Sequence, residues 1–190
     1  MSDHIKEYQL RKNKCFPYIC RSLNVNIGCW KGKEILGFFI HVPIEANFFS
    51  TLSGHFNPKL MKMIEIKSTP ISQCNALFQF DRICLTRSVF DMTHLSLYLH
   101  MLINPQYKQL YICIHDQMFL NLMLRLGAEV VCTYQTEEMK ENGMEHSQLV
   151  VFDSLKFISN KSVFEFFANV YNKLNRNSPE LLKQLRESIK

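Results

Sequence analysis

The sequence predicts a mixed α/β (α+β) fold with one mixed sheet, an antiparallel hairpin near the N-terminus, flanking helices and a helical C-terminal tail. Strand-length apolar runs alternate with helix-length apolar patterns between residues 77 and 134, and residues 161–190 carry helical periodicity. The composition, 47% hydrophobic and 21% charged over 190 residues, is that of a globular chain. We expect a main domain over residues 1–160 and a helical extension over 161–190 that packs on it.

The first half of the chain supplies the predicted hairpin. Two apolar runs, residues 16–30 and 35–42, are joined by the polar sequence KGKE, which is typical of a turn between antiparallel strands. Pro43 is expected to end the second strand, because proline cannot donate to a sheet ladder. Residues 44–76 mix short apolar clusters with Ser, Gly, Asn and Pro, and this predicts one or two short helices in a long connection.

The central part of the chain alternates strands with helices. Strands are expected at residues 77–85, 109–116 and 128–134, and helices at 88–103 and 117–127. Asn104-Pro105 closes the first of these helices, Asp116 caps the second, and Gly127 supplies its left-handed C-terminal residue. This order of elements calls for right-handed crossovers within one sheet. In the first strand the alternation slips by one residue between Phe80 and Ile83, which suits a bulge.

The last part of the chain is expected to add a strand and two helices. Residues 135–146 are polar and predict an exposed loop, and residues 147–157 predict the last strand. Residues 161–174 carry a broad apolar stripe at helical spacing. Ser178-Pro179-Glu180 places a capping residue before a proline, so a final helix begins there.

Charge and cysteine content limit the classes of function. The net charge of +5 is spread along the chain without a run of five like charges, so a nucleic-acid partner is not expected. A mildly basic surface suits an acidic partner, such as a carrier protein or the phosphates of coenzyme A. Seven cysteines without a CxxC pair indicate a reduced, cytoplasmic setting. No apolar segment approaches the ~20 residues that span a bilayer, and no metal site is suggested, since His94 and His100 lie on different helix faces.

Four ordered landmarks carry a family resemblance. They are Gly37-Phe38-Phe39-Ile40-His41-Val42-Pro43 followed by aromatic residues around Phe48, Phe49 and Phe56, then Phe78-Gln79-Phe80-Asp81-Arg82-Ile83, Cys113-Ile114-His115-Asp116 and Leu124-Arg125-Leu126-Gly127. In order and spacing they resemble the acyl-homoserine-lactone (autoinducer) synthases and N-acyl amino acid synthases of the GNAT superfamily, over about residues 35–152. Only Arg82, Gly37, Pro43 and Gly127 match the family's motif residues. The family's arginine and glutamate fall on Ile40 and Gln79.

The resemblance implies a GNAT-like sheet with splayed central strands and an N-acyltransferase activity of the quorum-sensing type. The donor would be an acyl-carrier-protein or acyl-CoA thioester, the acceptor a small amine, and no cofactor would be tightly bound. Residues 86–93 lack the glycine turn that holds the pyrophosphate of coenzyme A, so a carrier-protein thioester is at least as strongly indicated. An alternative is a catalytically degenerate relative that binds an acyl ligand or a protein partner, because Ile40 and Gln79 replace the arginine and the glutamate.

The splayed strands would expose a polar set of side chains to the reacting thioester. The residues expected to act in catalysis are His115, Arg82, Asp116 and Gln79, and those expected to bind substrate are Asp81, His41, Phe38, Phe78, Phe80 and Cys84. His115 suits a general base, or it is a structural histidine beside the capping Asp116. Arg82 suits a carboxylate of the substrate, or it pairs with Asp81 or Asp116. The phenylalanines, with Leu97, line an acyl tunnel or belong to the core.

Overall fold

The computed structural model describes residues 27–31, 34–46, 48–49, 71–135, 137–141, 143 and 146–188. The predicted first strand covers residues 16–30, and its residues 16–26 lie outside the described residues. Residues 50–70 of the predicted connection, with Phe56 among them, also lie outside the described residues. Within the described ranges the strands are β1 (Ile27–Lys31), β2 (Glu34–Ile44), β3 (Ala76–Cys84), β4 (Gln109–Ile114), β5 (Glu129–Tyr134) and β6 (Ser147–Asp153). The helices are α1 (Arg87–Ile103), α2 (Gln117–Arg125), α3 (Glu137–Glu141), α4 (Ser154–Ser159), α5 (Lys161–Asn177) and α6 (Pro179–Ser188), besides a 3-10 turn at Ile71–Gln73.

The mixed α/β fold class is confirmed. The six strands are hydrogen-bonded in the order β1-β2-β3-β4-β6-β5, and the sheet contains antiparallel and parallel pairs. β1 and β2 form the predicted antiparallel hairpin, with Ile27 opposite Phe39. β6 lies between β4 and β5 and runs antiparallel to both, so the two strands that flank α2 are not neighbours in the sheet.

Several helix boundaries follow from the capping residues that the sequence contains. Asp116 accepts a hydrogen bond from the Phe119 backbone N–H at 2.6 Å, and Gly127 has a φ of +94°. α1 ends at Ile103, immediately before Asn104-Pro105, and α6 begins at Pro179. These residues were the predicted helix ends, and the structure confirms them.

Three boundary predictions are wrong. β2 continues through Pro43 to Ile44, because the Ile44 carbonyl pairs with the Asn75 N–H and the neighbouring proline nitrogen therefore points away from β3. Residues 137–141 form the short helix α3 within the predicted loop. The last strand ends at Asp153, whose carboxylate caps α4 by accepting from the Lys156 N–H at 2.9 Å.

The bulge predicted between Phe80 and Ile83 of β3 stays a prediction, although the β2–β3 pair is irregular. Leu85 N–H donates to the Leu36 carbonyl at one end of the β2–β3 pair, and Asn75 N–H donates to the Ile44 carbonyl at the other. The span on β3 is two residues longer than the span on β2. Extra residues on one strand of an antiparallel pair are what a bulge contains.

The described chain divides into two compact units. Of the described residues, the first unit holds those within Met1–Val42, Gln79–Asn104 and Phe164–Lys190, and the second holds those within Pro43–Phe78 and Pro105–Val163. The prediction of a main domain over residues 1–160 with an extension over 161–190 stays a prediction. Among the described helices, none is long and apolar enough to cross a membrane.

In the first unit α1 covers one face of the hairpin. Cys29 Sγ lies 3.9 Å from Met92 Sδ, and the Phe39 ring meets the His94 ring edge-on with centroids 4.8 Å apart. α5 packs against α1, where the rings of Tyr98 and Phe167 stack with centroids 4.5 Å apart. The helix α6 also contacts α1.

In the second unit β6 is the central strand of an antiparallel trio. Ile114 lies opposite Gln148, and Tyr134 lies opposite Ser147. The Tyr111 hydroxyl donates to the Ala46 carbonyl at 2.9 Å and ties β4 to the segment after β2. The pairing of β4 with β6 brings the end of β4, which His115 follows, beside the start of β6 at Ser147.

Candidate functional site

The predicted site residues are divided between the two units. The first unit holds His41 and Phe38 on β2 with Gln79, Arg82 and Cys84 on β3, and the second holds Phe78, His115 and Asp116. The backbones of Phe80 and Asp81 belong to β3, but their side chains lie outside the described residues.

His115 occupies the carboxyl end of β4. It follows Ile114, the last residue of the strand, and its side chain is exposed. Because Ile114 lies opposite Gln148, the next pair across the two strands brings residue 115 opposite Ser147. His115 Nδ1 is hydrogen-bonded to Ser147 Oγ. The exposed imidazole of His115 is thus hydrogen-bonded to the fully buried hydroxyl of Ser147.

Ser147 belongs to a wider polar cluster inside the second unit. Its hydroxyl donates to Met139 Sδ at 3.7 Å, and the Tyr134 hydroxyl lies beside both Ser147 and the Cys113 thiol. Burial raises the pKa of Cys113 to about 12. Burial also raises the pKa of Tyr134 well above the ordinary value of a tyrosine. Both groups are neutral at physiological pH, so they act as hydrogen-bonding groups and not as charges.

Asp116 has a structural partner. Its carboxylate accepts from the Phe119 N–H and is the N-cap of α2. Of the two alternatives for the His115–Asp116 pair, the structure shows capping for Asp116. His115 is hydrogen-bonded to Ser147 at the start of β6, so the two neighbours have different tasks.

Arg82 and Cys84 lie against α1 in the first unit. The Arg82 guanidinium carbon is 5.9 Å from the centre of the Phe90 ring, and Cys84 Sγ is 3.6 Å from Thr93 Oγ1. Burial raises the pKa of Cys84, while the Thr93 hydroxyl and the Arg82 charge act in the opposite direction. The raised pKa argues against a thiolate at Cys84.

The other predicted residues whose side chains are described lie in the interior. His41, Phe38 and Gln79 are buried in the first unit. Phe78 packs on Phe49 in the second unit with ring centroids 5.2 Å apart. In this arrangement they fill the core, and the acyl tunnel stays a prediction.

One histidine with a strongly shifted pKa was not predicted as a site residue. His94 lies between the rings of Phe39 and Phe90, and its Nδ1 is 2.7 Å from the Phe90 carbonyl oxygen. Burial lowers the pKa of His94 to about 4, and the nearby Arg82 charge acts in the same direction. Its spacing from His100 predicts no metal site, and the described residues contain no cluster of three metal-binding side chains.

The sequence did not single out Ser147 or Tyr134. Ser147 is 32 residues from His115, and the contact depends on the antiparallel register of β4 and β6. The position of Tyr134 beside Ser147 depends in the same way on the pairing of β5 with β6. A serine at the start of a predicted strand was the sole visible signal, and it is too common to predict a site.

No protein-family model matches the chain, and comparison with the curated proteins and with solved structures finds no match. The resemblance to autoinducer synthases stays a prediction from sequence. Any function must therefore be argued from the chemistry of the described residues.

Proposed function

We propose that the protein is an N-acyltransferase that moves an acyl group from an acyl-carrier-protein or acyl-CoA thioester to a small amine, with His115 as the general base. One observation carries the proposal. The imidazole of His115 is exposed at the carboxyl end of β4 and is held there by buried Ser147. In open α/β sheets, ligands bind at the carboxyl ends of strands.

The reaction needs one proton acceptor near the attacking amine. As the amine nitrogen bonds to the thioester carbonyl carbon, it must lose a proton, and the carbon–sulfur bond breaks to release the thiol. His115 would take the proton from nitrogen and return it to the departing thiolate. A positioned general base contributes about 10²- to 10⁴-fold in rate.

The described thiols favour direct transfer over an acyl-cysteine intermediate. Burial raises the pKa values of Cys29 and Cys113 to about 12, and that of Cys84 above its ordinary value. The nucleophile in such chemistry is the thiolate, and a raised pKa makes it scarce. None of the five described cysteines forms a disulfide. The amine is therefore expected to attack the donor thioester itself.

The net charge supports an anionic donor. At +5 the chain attracts an acidic carrier protein or the phosphates of coenzyme A through long-range forces. Such attraction weakens as salt rises. The value of kcat/KM is therefore expected to fall with ionic strength more strongly than kcat.

Thiol release from panels of acyl-carrier protein and acyl-CoA, offered with amino acids and S-adenosylmethionine, tests the proposal. We expect release that requires both donor and amine, and a fall in kcat of about 10²- to 10⁴-fold in His115→Gln. His146→Gln is the matched control, because His146 is also exposed but precedes β6. The absence of turnover with every donor, or full turnover in His115→Gln, contradicts the proposal.

A second candidate is a degenerate relative that binds an acyl ligand or a protein partner without catalysis. It is favoured by Ile40, which is apolar and 1% exposed where the family resemblance places an arginine, and by the buried amide of Gln79. The same assay separates the two candidates. Saturable fatty-acid binding without turnover supports the degenerate relative.

A further inference from the structure

We propose that Ser147 is a positioning residue that holds His115 in the tautomer with its proton on Nδ1 and its lone pair on Nε2. As a statement about catalysis, this rests on the proposed function of His115 as a base. As a statement about the tautomer, it rests on hydrogen-bond geometry alone. The two can therefore fail separately.

The Ser147 hydroxyl carries a single proton. A serine hydroxyl can donate one hydrogen bond and accept two. Met139 Sδ, 3.7 Å away, is a thioether and can only accept, so Ser147 is the donor in that contact. With its proton directed to that sulfur, Ser147 Oγ accepts from His115, and the Nδ1–H group is the donor.

Tyr134 supports the same direction. Its hydroxyl lies beside both Ser147 and Cys113, so the phenol oxygen is a second acceptor within reach of the Ser147 proton. Whether the Ser147 proton points to Met139 or to Tyr134, the proton in the bond to His115 comes from the imidazole. Water does not supply another partner readily, because Ser147 is 0% exposed.

The tautomer decides what His115 can do. The ring nitrogen that is not bonded to Ser147 is Nε2. With the proton on Nδ1, Nε2 carries the lone pair and can take a proton from an amine. The opposite tautomer would present an N–H group and make His115 a hydrogen-bond donor to the substrate. The buried Ser147 hydroxyl thus makes His115 a proton acceptor towards the substrate and not a hydrogen-bond donor.

The direct test is long-range ¹H–¹⁵N correlation of histidine-labelled protein, at a pH well above the ordinary imidazole pKa of about 6.5. The His115 signals are assigned from their loss in His115→Gln. We expect a protonated Nδ1 and an unprotonated Nε2 in the wild-type protein. A wild-type imidazole protonated on Nε2 overturns the proposal, whatever the variants do.

Two variants at Ser147 test the cause. Ser147→Ala removes the acceptor, so we expect loss of the Nδ1–H preference and a fall in kcat of about 10- to 100-fold with little change in KM. Ser147→Thr keeps the hydroxyl and is expected to restore the tautomer. An unchanged tautomer in Ser147→Ala overturns the role of Ser147. Should Ser147→Ala fail to fold, Ser147→Thr and the wild-type spectrum still decide.

The outcomes also separate this inference from the proposed function. An Nδ1–H tautomer together with full turnover in His115→Gln would leave the positioning intact and remove the base. An Nε2–H tautomer together with lost turnover in His115→Gln would keep His115 in the reaction but make it a donor. That result would overturn the positioning by Ser147.

Discussion

His94 lies on α1 between the rings of Phe39 and Phe90, with centroids 4.8 and 4.0 Å from its own. Loss of hydration penalises the imidazolium more than the neutral ring, and the pKa of His94 falls to about 4. The folded protein therefore favours the neutral form of the His94 imidazole. An unfolded chain restores an imidazole pKa of about 6.5.

This shift makes stability depend on pH. The folded pKa of His94 is lower than the unfolded one, so the unfolded state binds the proton first as pH falls. The neutral His94 ring therefore does not lower the free energy of unfolding above a pH of about 6.5. That free energy falls as pH decreases from about 6.5 towards 4. We expect His94 to contribute at most about 3 kcal/mol to this fall, and less because the ring keeps some contact with water.

Urea denaturation of wild type and His94→Phe across this pH range measures the contribution. Phenylalanine keeps a ring of similar size and cannot titrate. We expect the free energy of unfolding to fall less steeply with decreasing pH in His94→Phe. Equal slopes for the two proteins would show that His94 is not buried as a neutral ring.

Residue by residue, sequence reasoning reached part of the candidate site. The place of His115 and Asp116 after a buried strand was visible, since polar residues directly after an apolar run lie at a strand end. Which of them caps a helix and which bonds across two strands required the bond from Phe119 to Asp116 and the bond between His115 and Ser147. Ser147 was invisible, because its contact with His115 is made by register across strands and by nothing local.

At the level of elements, α1 and α5 are joined by a buried carboxylate. Asp91 on α1 is 3% exposed, and it accepts from Arg87 Nε at 3.0 Å and from Lys173 Nζ of α5 at 2.9 Å. The two cations are half-exposed or more, so each returns to water at low cost when the pair breaks. The buried Asp91 carboxylate cannot return to water in this way. Loss of its partners therefore costs more than exposure of either cation.

We therefore expect the two cations to replace one another. Arg87→Met and Lys173→Met should each cost about 1 kcal/mol or less, because one cation remains beside Asp91. The double variant leaves a buried carboxylate unpaired and should cost about 3–5 kcal/mol, more than the two single costs together. Urea denaturation measures all three variants, with exposed Lys183→Met as control. Additive single costs would show that Asp91 reaches water.

Elements with local signals were predicted, and those without them were not. The ends of α1, α2 and α6 followed from Asn104-Pro105, Asp116 with Gly127, and Pro179, since each acts on the backbone next to it. The position of β6 between β4 and β5 depends on pairing between distant segments. The helix α3 was missed because its five residues, EEMKE, are too few and too polar to show a period.

Across the whole molecule, each unit is assembled from separate stretches of sequence. The first unit takes residues from the hairpin, from α1 and from the C-terminal helices. The helices α5 and α6 contribute six buried apolar side chains to it, namely Phe167, Val170, Leu174, Leu181, Leu182 and Leu185. Full burial of such a side chain stabilises by about 1.5–3 kcal/mol.

The predicted extension over residues 161–190 should therefore be essential to the fold of the first unit. Six such side chains together match or exceed the whole stability of an ordinary domain, about 5–15 kcal/mol. A chain ending at Asn160 also loses Phe167 against Tyr98 and Lys173 against Asp91. We expect it to lose the near-ultraviolet circular dichroism and the hydrogen-exchange protection of α1.

Two point variants separate burial from mere presence of the helices. Leu174 on α5 is 1% exposed, so Leu174→Ala should cost about 2–5 kcal/mol by urea denaturation. Phe164 on the same helix is 61% exposed, and Phe164→Ala should change the free energy of unfolding by less than about 0.5 kcal/mol. Two results would show that the first unit folds without these helices. One is native hydrogen-exchange protection of α1 in the truncated chain, and the other is an equal loss of unfolding free energy in the two variants.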